Sequence, residues 1–319
     1  MSPRSVIIDC DPGHDDALAV LLALGSPDEL AVLALTVVAG NAPLALTEKN
    51  ARRICELAER PDLPVHAGCE RPLLCELVTA EHVFGNTGLD GPTLPEPRMP
   101  LAGAHAVDAI IEMLRAHAPG TVTLCPTGPL THIAMALRKA PDVAPRIQEI
   151  VLMGGAIGLG NVTPAAEFNI YVDPHAAKVV FEAGVPLVML GLEATHQALL
   201  TPPRLDAIRD LGTPLSRTVV ELLEFYGIYH RSEHERAGAP LHDPCAIAYL
   251  LDPSLFGGRA CHVAVETKGE HTLGRTVVDW SRRTRHPPNA TVIDQIDADG
   301  FFALLTERLG RLPLPRAGP

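Results

Sequence analysis

Four carboxylates, Asp9, Asp11, Asp15 and Asp16, fall within one short run near the N-terminus: Val6-Ile7-Ile8-Asp9-Cys10-Asp11-Pro12-Gly13-His14-Asp15-Asp16. They repel one another at neutral pH. Asp9 and Asp11 also share one face of the apolar strand they follow, because strand side chains alternate. The N-terminus of the following helix offsets only about 0.3–1 kcal/mol per acid. A hard, oxygen-seeking dication, Ca2+ or Mg2+, would resolve the repulsion. The competing reading is a helix cap beside a solvated acidic turn. The cluster lies between an apolar strand and an apolar helix, where open α/β sheets place their ligands, and this favours a functional site.

Other polar residues also follow strands. Asn41 comes after Val37-Val38-Ala39-Gly40, Thr127 after Leu124-Cys125-Pro126, and Met153-Gly154-Gly155 after Ile150-Val151-Leu152. All project to the same carboxyl edge as Asp11 if the strands are parallel. Glu167 and Asn169 stand in an i,i+2 relation that can turn both toward one pocket and Phe168 away; a plain polar loop is the alternative. His242-Asp243 interrupts two helical stretches. Asp243 is placed either to cap the next helix or to bind a cation or a hydroxyl, beside a histidine that titrates near neutrality. Tyr226 and His230, one helical turn apart, either face a ligand or lie on an ordinary amphipathic helix.

The elements that must position these residues alternate. Strands are expected at Ser5–Asp9, Leu30–Val38, Thr121–Cys125, Glu149–Met153 and Leu187–Leu190. Helices are expected at Asp15–Leu24, Leu46–Glu59, Ala104–Ala116, Pro129–Lys139, Pro174–Ala183 and Pro203–Leu211. A helix at Ser216–His230, another ending at Leu251, a hairpin within Cys261–Asp279 and a helix at Ala298–Leu309 follow, and Leu312–Pro319 is expected to fray. Regular β-then-α alternation with continuously apolar strands predicts one α/β domain over residues 1–319. Its sheet is open, mostly parallel and Rossmann-like, flanked by helices. The glycine run Gly154–Gly160 lacks the G-x-G-x-x-G register, and Gly128 has no Gly-Lys-Ser/Thr after it, so neither is a nucleotide-phosphate loop.

The 319 residues are 47% hydrophobic, enough for a large core, and the net charge is −12 without a basic run. That excludes the basic footprint a nucleic-acid or membrane-surface partner needs. The seven cysteines form no C-x-x-C pair. The first strand is expected to begin near Val6, and no leader is expected before it. Reduced thiols in a cytoplasmic protein are therefore expected.

The chain resembles the inosine-uridine-preferring nucleoside hydrolases. The likeness rests on Asp9-Cys10-Asp11-Pro12-Gly13-His14-Asp15-Asp16, Val38-Ala39-Gly40-Asn41, Pro126-Thr127-Gly128-Pro129-Leu130 and Met153-Gly154-Gly155. It continues in Ala166-Glu167-Phe168-Asn169, Thr195-His196-Gln197 and Pro240-Leu241-His242-Asp243-Pro244. The resemblance implies hydrolysis of the N-glycosidic bond of a small-molecule ribonucleoside, with Ca2+ held by Asp11, Asp16, Asp243 and the carbonyl of Thr127. It implies Asp11 as general base, with Asp9 as a supporting acid. Asp15, Asn41, Asn161, Glu167, Asn169 and Asp243 would bind ribose hydroxyls, Met153 would pack near the sugar, and His242 would stand by the departing base. A homodimer or homotetramer is expected.

One departure bears on the leaving group. In His82-Val83-Phe84-Gly85-Asn86-Thr87-Gly88-Leu89, Phe84 occupies the place of the histidine usual in the family. Phe84, Tyr226 and His230 are then the candidates to face the base. The lone tryptophan, Trp280, lies outside these motifs, so a base sandwiched between indoles is not expected. Recognition should rest on the ribose, with tolerance for purine and pyrimidine bases. Two other classes share features with the chain. Asp9-x-Asp11 after a strand also resembles the haloacid-dehalogenase phosphatases, but Gly13 stands where that family has Thr or Val. A non-catalytic nucleoside binder on the same fold would lack the water-activating Asp11.

Overall fold

The apolar runs form strands because both their faces are covered. In β1 (Arg4–Cys10) every residue from Val6 onward is buried. A computed structural model describes residues 2–233 and 238–312, without the side chains of 230–233. In chain order the elements are β1, α1 (His14–Leu24), β2 (Leu30–Val37), α2 (Leu44–Leu57), β3 (Val65–Ala67), α3 (Glu81–Phe84), α4 (Ala106–Ala116), β4 (Val122–Pro126) and α5 (Thr131–Lys139). Then come β5 (Ile147–Met153), α6 (Phe168–Val172), α7 (Pro174–Phe181), β6 (Leu187–Leu190), α8 (Leu192–Thr195), β7 (Leu199–Leu200), α9 (Pro202–Arg209) and α10 (Pro214–Glu233). The chain closes with β8 (Ala239–Pro240), α11 (Pro244–Leu251), β9 (Phe256–Cys261), β10 (Val263–Val265), β11 (Thr276–Val278), β12 (Ala290–Ile296) and α12 (Ala298–Arg311).

The main sheet has the order β3-β2-β1-β4-β5-β6-β12-β9. Its strands pair in parallel except β9, which runs antiparallel to β12. The order reverses between β1 and β4, and ligands of open α/β sheets bind outside the carboxyl ends at such a point. Register puts Asp9 opposite Thr36 on one side and Pro126 on the other. The loops after β1, β2, β4 and β5 therefore open on one edge. Helix α1 is buried along its whole length, which explains its unbroken apolar sequence.

The expected strands and helices are present with ends moved by up to a few residues. The sheet holds three strands beyond those expected. β3 has three residues, and β9 reads Phe-Gly-Gly-Arg-Ala-Cys with an exposed middle, as suits an edge. β12 carries a β-branched run, Thr291-Val292-Ile293, that was a legible signal. The expected hairpin is β10 with β11, while Cys261 belongs to β9 in the main sheet. Leu312 is buried rather than frayed, and residues 313–319 lie outside the described residues. Among the described residues no helix is long and apolar enough to cross a membrane.

Candidate active site

Asp11 leaves the end of β1 and is wholly buried. Its Oδ2 accepts the Asn41 backbone N–H at 2.6 Å, while Oδ1 has no hydrogen-bond partner. Gly40 and Gly128 press on the carboxylate from the loops after β2 and β4. A Cβ at Gly128 would stand 2.5 Å from Oδ1, so only glycine lets these loops close on Asp11. Asp16, in the first turn of α1, is held from three sides. Its Oδ2 accepts the Gly13 N–H at 3.0 Å and Asn41 Nδ2 at 3.1 Å, and its Oδ1 accepts the Thr127 hydroxyl at 2.8 Å. Thr127 is itself placed by its N–H, which donates to the Asp9 carbonyl at 2.8 Å.

Asp243 stands at the N-cap position of α11, yet its side chain caps nothing. It lies instead beside Asp15 and Asp16 in the acidic cluster. That resolves the choice left open by the sequence: the cap is given up for the acidic cluster. Asp15, Asp16 and Asp243 bring one carboxylate oxygen each within 4.8 Å of one another. The carboxylates gathered this closely thus include Asp15, expected only at the ribose, and not Asp11.

From the protein groups alone, these acids resist ionisation. Burial raises Asp11 well above the carboxylate range, and the charges of Asp16 and Asp15 add to it. Burial and the Asp16 charge lift Asp15 to about 7, and burial with the charges of Asp15, Asp16 and Asp11 raises Asp243 strongly. Asp16 is raised by burial, against its hydrogen bonds. Asp15 Oδ1 and Asp11 Oδ1 are buried without any partner. An all-oxygen donor set with orphaned lone pairs fits a hard divalent cation.

Asp9 sits beneath this cluster and takes no part in it. Its Oδ1 accepts the Thr36 hydroxyl at 2.6 Å and lies 2.7 Å from His132 Nδ1. The Cys69 N–H points at His132 Nε2 at 2.8 Å. Burial disfavours a protonated ring, and the Asp9 charge and hydrogen bond more than reverse this, toward about 10. The N–H aimed at Nε2 nonetheless requires a lone pair there, so the geometry makes the ring neutral with its proton on Nδ1.

The walls of the cleft rise from the other loops, and it encloses about 780 Å³ of empty space with its open mouth, a size usual for small-molecule sites. Asp15, Asn41, Phe84, Thr127, Met153, Asn161, Glu167, Asn169, Tyr226, His242 and Asp243 all line it. Glu167 is the N-cap of α6. Its carboxylate accepts backbone N–H groups of Gly155, Asn169 and Ile170, and burial lifts it to about 7 against those bonds. Asn169 Nδ2 donates to the Thr127 carbonyl at 2.6 Å and to the Met153 carbonyl at 3.2 Å. Asn161 Oδ1 accepts the Phe168 N–H at 2.9 Å. The i,i+2 alternation expected here is thus a helix start, and Phe168 lines the cleft instead of turning away.

Phe84 and Tyr226 belong to a stacked group with His14, and Phe225 also stacks on His14. Tyr226 is buried and donates its hydroxyl to the Pro240 carbonyl at 3.1 Å. The side chain of His230 lies outside the described residues. Its neighbour Tyr229 lines the cleft and meets His82 edge-on at 5.5 Å. His82, Tyr229 and His196 are cleft residues that the sequence reading did not assign. Their sequence signal was slight, since His82 stood two places from the expected histidine and His196 lay within a matched motif. His242 closes the far wall. Its Nδ1 lies 2.8 Å from the Thr195 hydroxyl oxygen, and its ring meets His196 edge-on at 5.6 Å.

A doubly wound sheet with buried carboxylates at its switch point, under a cleft of amides, aromatic rings and imidazoles, defines an enzyme equipped for a cation and a hydroxyl-rich ligand. The model of the inosine-uridine preferring nucleoside hydrolase family matches residues 6–303, and the chain belongs to that family. It is accordingly a glycosidase of N-ribosyl bonds, which sets aside the phosphatase and non-catalytic readings. Among its relatives, a pyrimidine-specific ribonucleoside hydrolase RihA of Salmonella paratyphi C is 50% identical over 305 residues, covering 95% of this chain and 97% of its own. One from Shewanella sp. strain MR-7 is 50% identical over 307 residues, covering 96% of each. The structure of a purine-preferring ribonucleoside hydrolase from Gardnerella vaginalis superposes with a TM-score of 0.90 at 32% identity, covering 97% of this chain and 99% of that one. A plant nucleoside hydrolase, PpNRh1, gives 0.89 at 34% identity, covering 96% and 99%.

Proposed function

We propose that this enzyme is a Ca2+-dependent hydrolase of ribonucleosides, pyrimidine nucleosides foremost, working as one catalytic domain. The observation that carries the reading is the buried carboxylate cluster with its orphaned oxygens, set directly under the cleft. Asp11, Asp16, Asp243 and the Thr127 carbonyl would hold the ion, with Asp15 shared between ion and ribose. A Ca2+ bound there would supply positive charge that lowers the pKa of a neighbouring water. Asp11 takes the proton of the attacking water. Asp15, Asn41, Asn161, Glu167, Asn169 and Asp243 bind the sugar hydroxyls, with Met153 against the ring. As the C–N bond breaks, positive charge grows on the sugar and the surrounding carboxylates stabilise it. His242 donates a hydrogen bond to the departing base, and Phe84, Tyr226 and Tyr229 give that base an aromatic wall.

The names of the relatives at 50% identity support the pyrimidine preference. It narrows the base tolerance expected from the sequence. The described cysteines are all unpaired thiols, which supports a reducing, cytoplasmic setting. A homo-oligomer, dimer or tetramer, belongs to the same proposal, and sedimentation velocity decides it. The central test is reducing-sugar release from uridine, cytidine, inosine and adenosine, before and after chelation and with Ca2+ restored. Activity that depends on Ca2+ and is highest on uridine or cytidine is expected. Full activity after chelation, or none on any ribonucleoside, would overturn the reading.

A further inference from the structure

The hydroxyl of Thr195 is completely buried, at 0% exposure, on the one-turn helix α8. A buried hydroxyl must donate its proton to some acceptor. Among the described residues its one hydrogen-bond partner is His242 Nδ1, at 2.8 Å. The proton therefore points at Nδ1, which must offer a lone pair, and a neutral imidazole then carries its own proton on Nε2. We infer that Thr195 is a positioning residue, fixing the ring plane and tautomer of His242 so that an Nε2–H donor is presented to the leaving base. The inference rests on the role proposed for His242 and concerns the tautomer, not the charge, of the ring.

The neighbours fit this assignment. His196, the next residue, packs edge-on against His242 and lines the cleft, so the ring is held from the side as well as from Nδ1. Glu193, two residues earlier, accepts the backbone N–H groups of Ile157 and Gly158 at 2.8 Å each. Those residues open the loop that carries Asn161. One short helix thus anchors both the loop over the sugar and the imidazole beside the base.

The experiment uses the Ca2+-loaded enzyme and the variants T195V, T195S and H242A. Nitrogen-15 NMR of labelled histidine, assigned by loss of the His242 signals in H242A, reads the tautomer directly. Uridine and 4-nitrophenyl riboside separate the kinetics, because nitrophenolate departs without help from a donor. The Nε2–H tautomer is expected in the wild type. In T195V, kcat on uridine should fall about tenfold, the equivalent of ~1.4 kcal/mol, with KM unchanged and less than a twofold change on the nitrophenyl riboside. T195S should restore most of the loss, whereas damage to packing alone would lower both substrates together. H242A losing equally on both substrates would remove the leaving-group role of His242. A selective H242A beside a wild-type-like T195V would overturn the role of Thr195, and so would a wild-type ring protonated on Nδ1.

Discussion

Replacing Asp15 by Asn should stabilise the chelated enzyme at neutral pH while weakening its response to Ca2+. Asp15 is 3% exposed, and burial with the Asp16 charge lifts it from an ordinary 3.8 to about 7. A carboxylate whose folded pKa is raised is harder to ionise in the folded state. Its contribution is neutral below about pH 4, becomes unfavourable as pH rises from 4 to 7, and levels off above 7. A rise of that size corresponds to about 4 kcal/mol at the plateau. Asparagine keeps the shape and removes the charge. Urea unfolding in excess chelator, from pH 4.5 to 8, should show wild type falling behind D15N by up to about 4 kcal/mol. Saturating Ca2+ should narrow the gap, because a ligand bound at a hundred times its Kd adds about 2.7 kcal/mol to the folded state. The raised neighbours Asp11, Asp16 and Asp243 slope the same way, and the Asp15 charge adds to the rise of Asp11 and Asp243, so D15N relieves them as well. If chelated D15N were less stable than wild type at pH 8, or the gap did not change with pH, the repulsion argument would be wrong.

Three further outcomes are expected. Asp11→Ala should lose turnover by about 100- to 10,000-fold, the range of a general base, measured as reducing-sugar release from uridine with Ca2+ present. Gly128→Ala should inactivate the enzyme while circular dichroism stays native, because its Cβ would displace the Asp11 carboxylate and not the core; wild-type activity would show that the loop yields. Uridine should exceed 2′-deoxyuridine in kcat/KM by at least about tenfold, since a missing hydroxyl leaves a buried polar group unpaired at about 1–3 kcal/mol. Equal values would refute ribose-centred recognition.

The acidic cluster was legible because its cause is local. Asp11 and Asp16 flank a strand-to-helix break that Pro12-Gly13 announces, and repulsion between near neighbours can be read directly from spacing. The same holds for Asn41 and Thr127, each at the end of an apolar run whose direction follows from β/α alternation. Asp243 was ambiguous for a physical reason. A cap and a cation ligand use the same residue type before the same Pro-led helix, and only the fold brings Asp16 near enough to win it. Glu167 misled in the opposite sense. Period two suited Glu167 and Asn169, but Glu167 starts a helix and Phe168 remains at the cleft. The leaving-group wall was the least legible part. His82 and Tyr229 come from α3 and α10, and nothing in their own segments distinguishes them from surface residues, while His196, at the end of α8, lay in a motif to which the sequence assigned no place at the cleft. Their meeting depends on how α10 and the segments beyond β3 and β6 approach across the sheet edge. The residues proposed to hold the metal and the sugar thus come mainly from short segments at strand ends. The aromatic and imidazole wall of the cleft, Phe84 included, is assembled from segments distant in sequence.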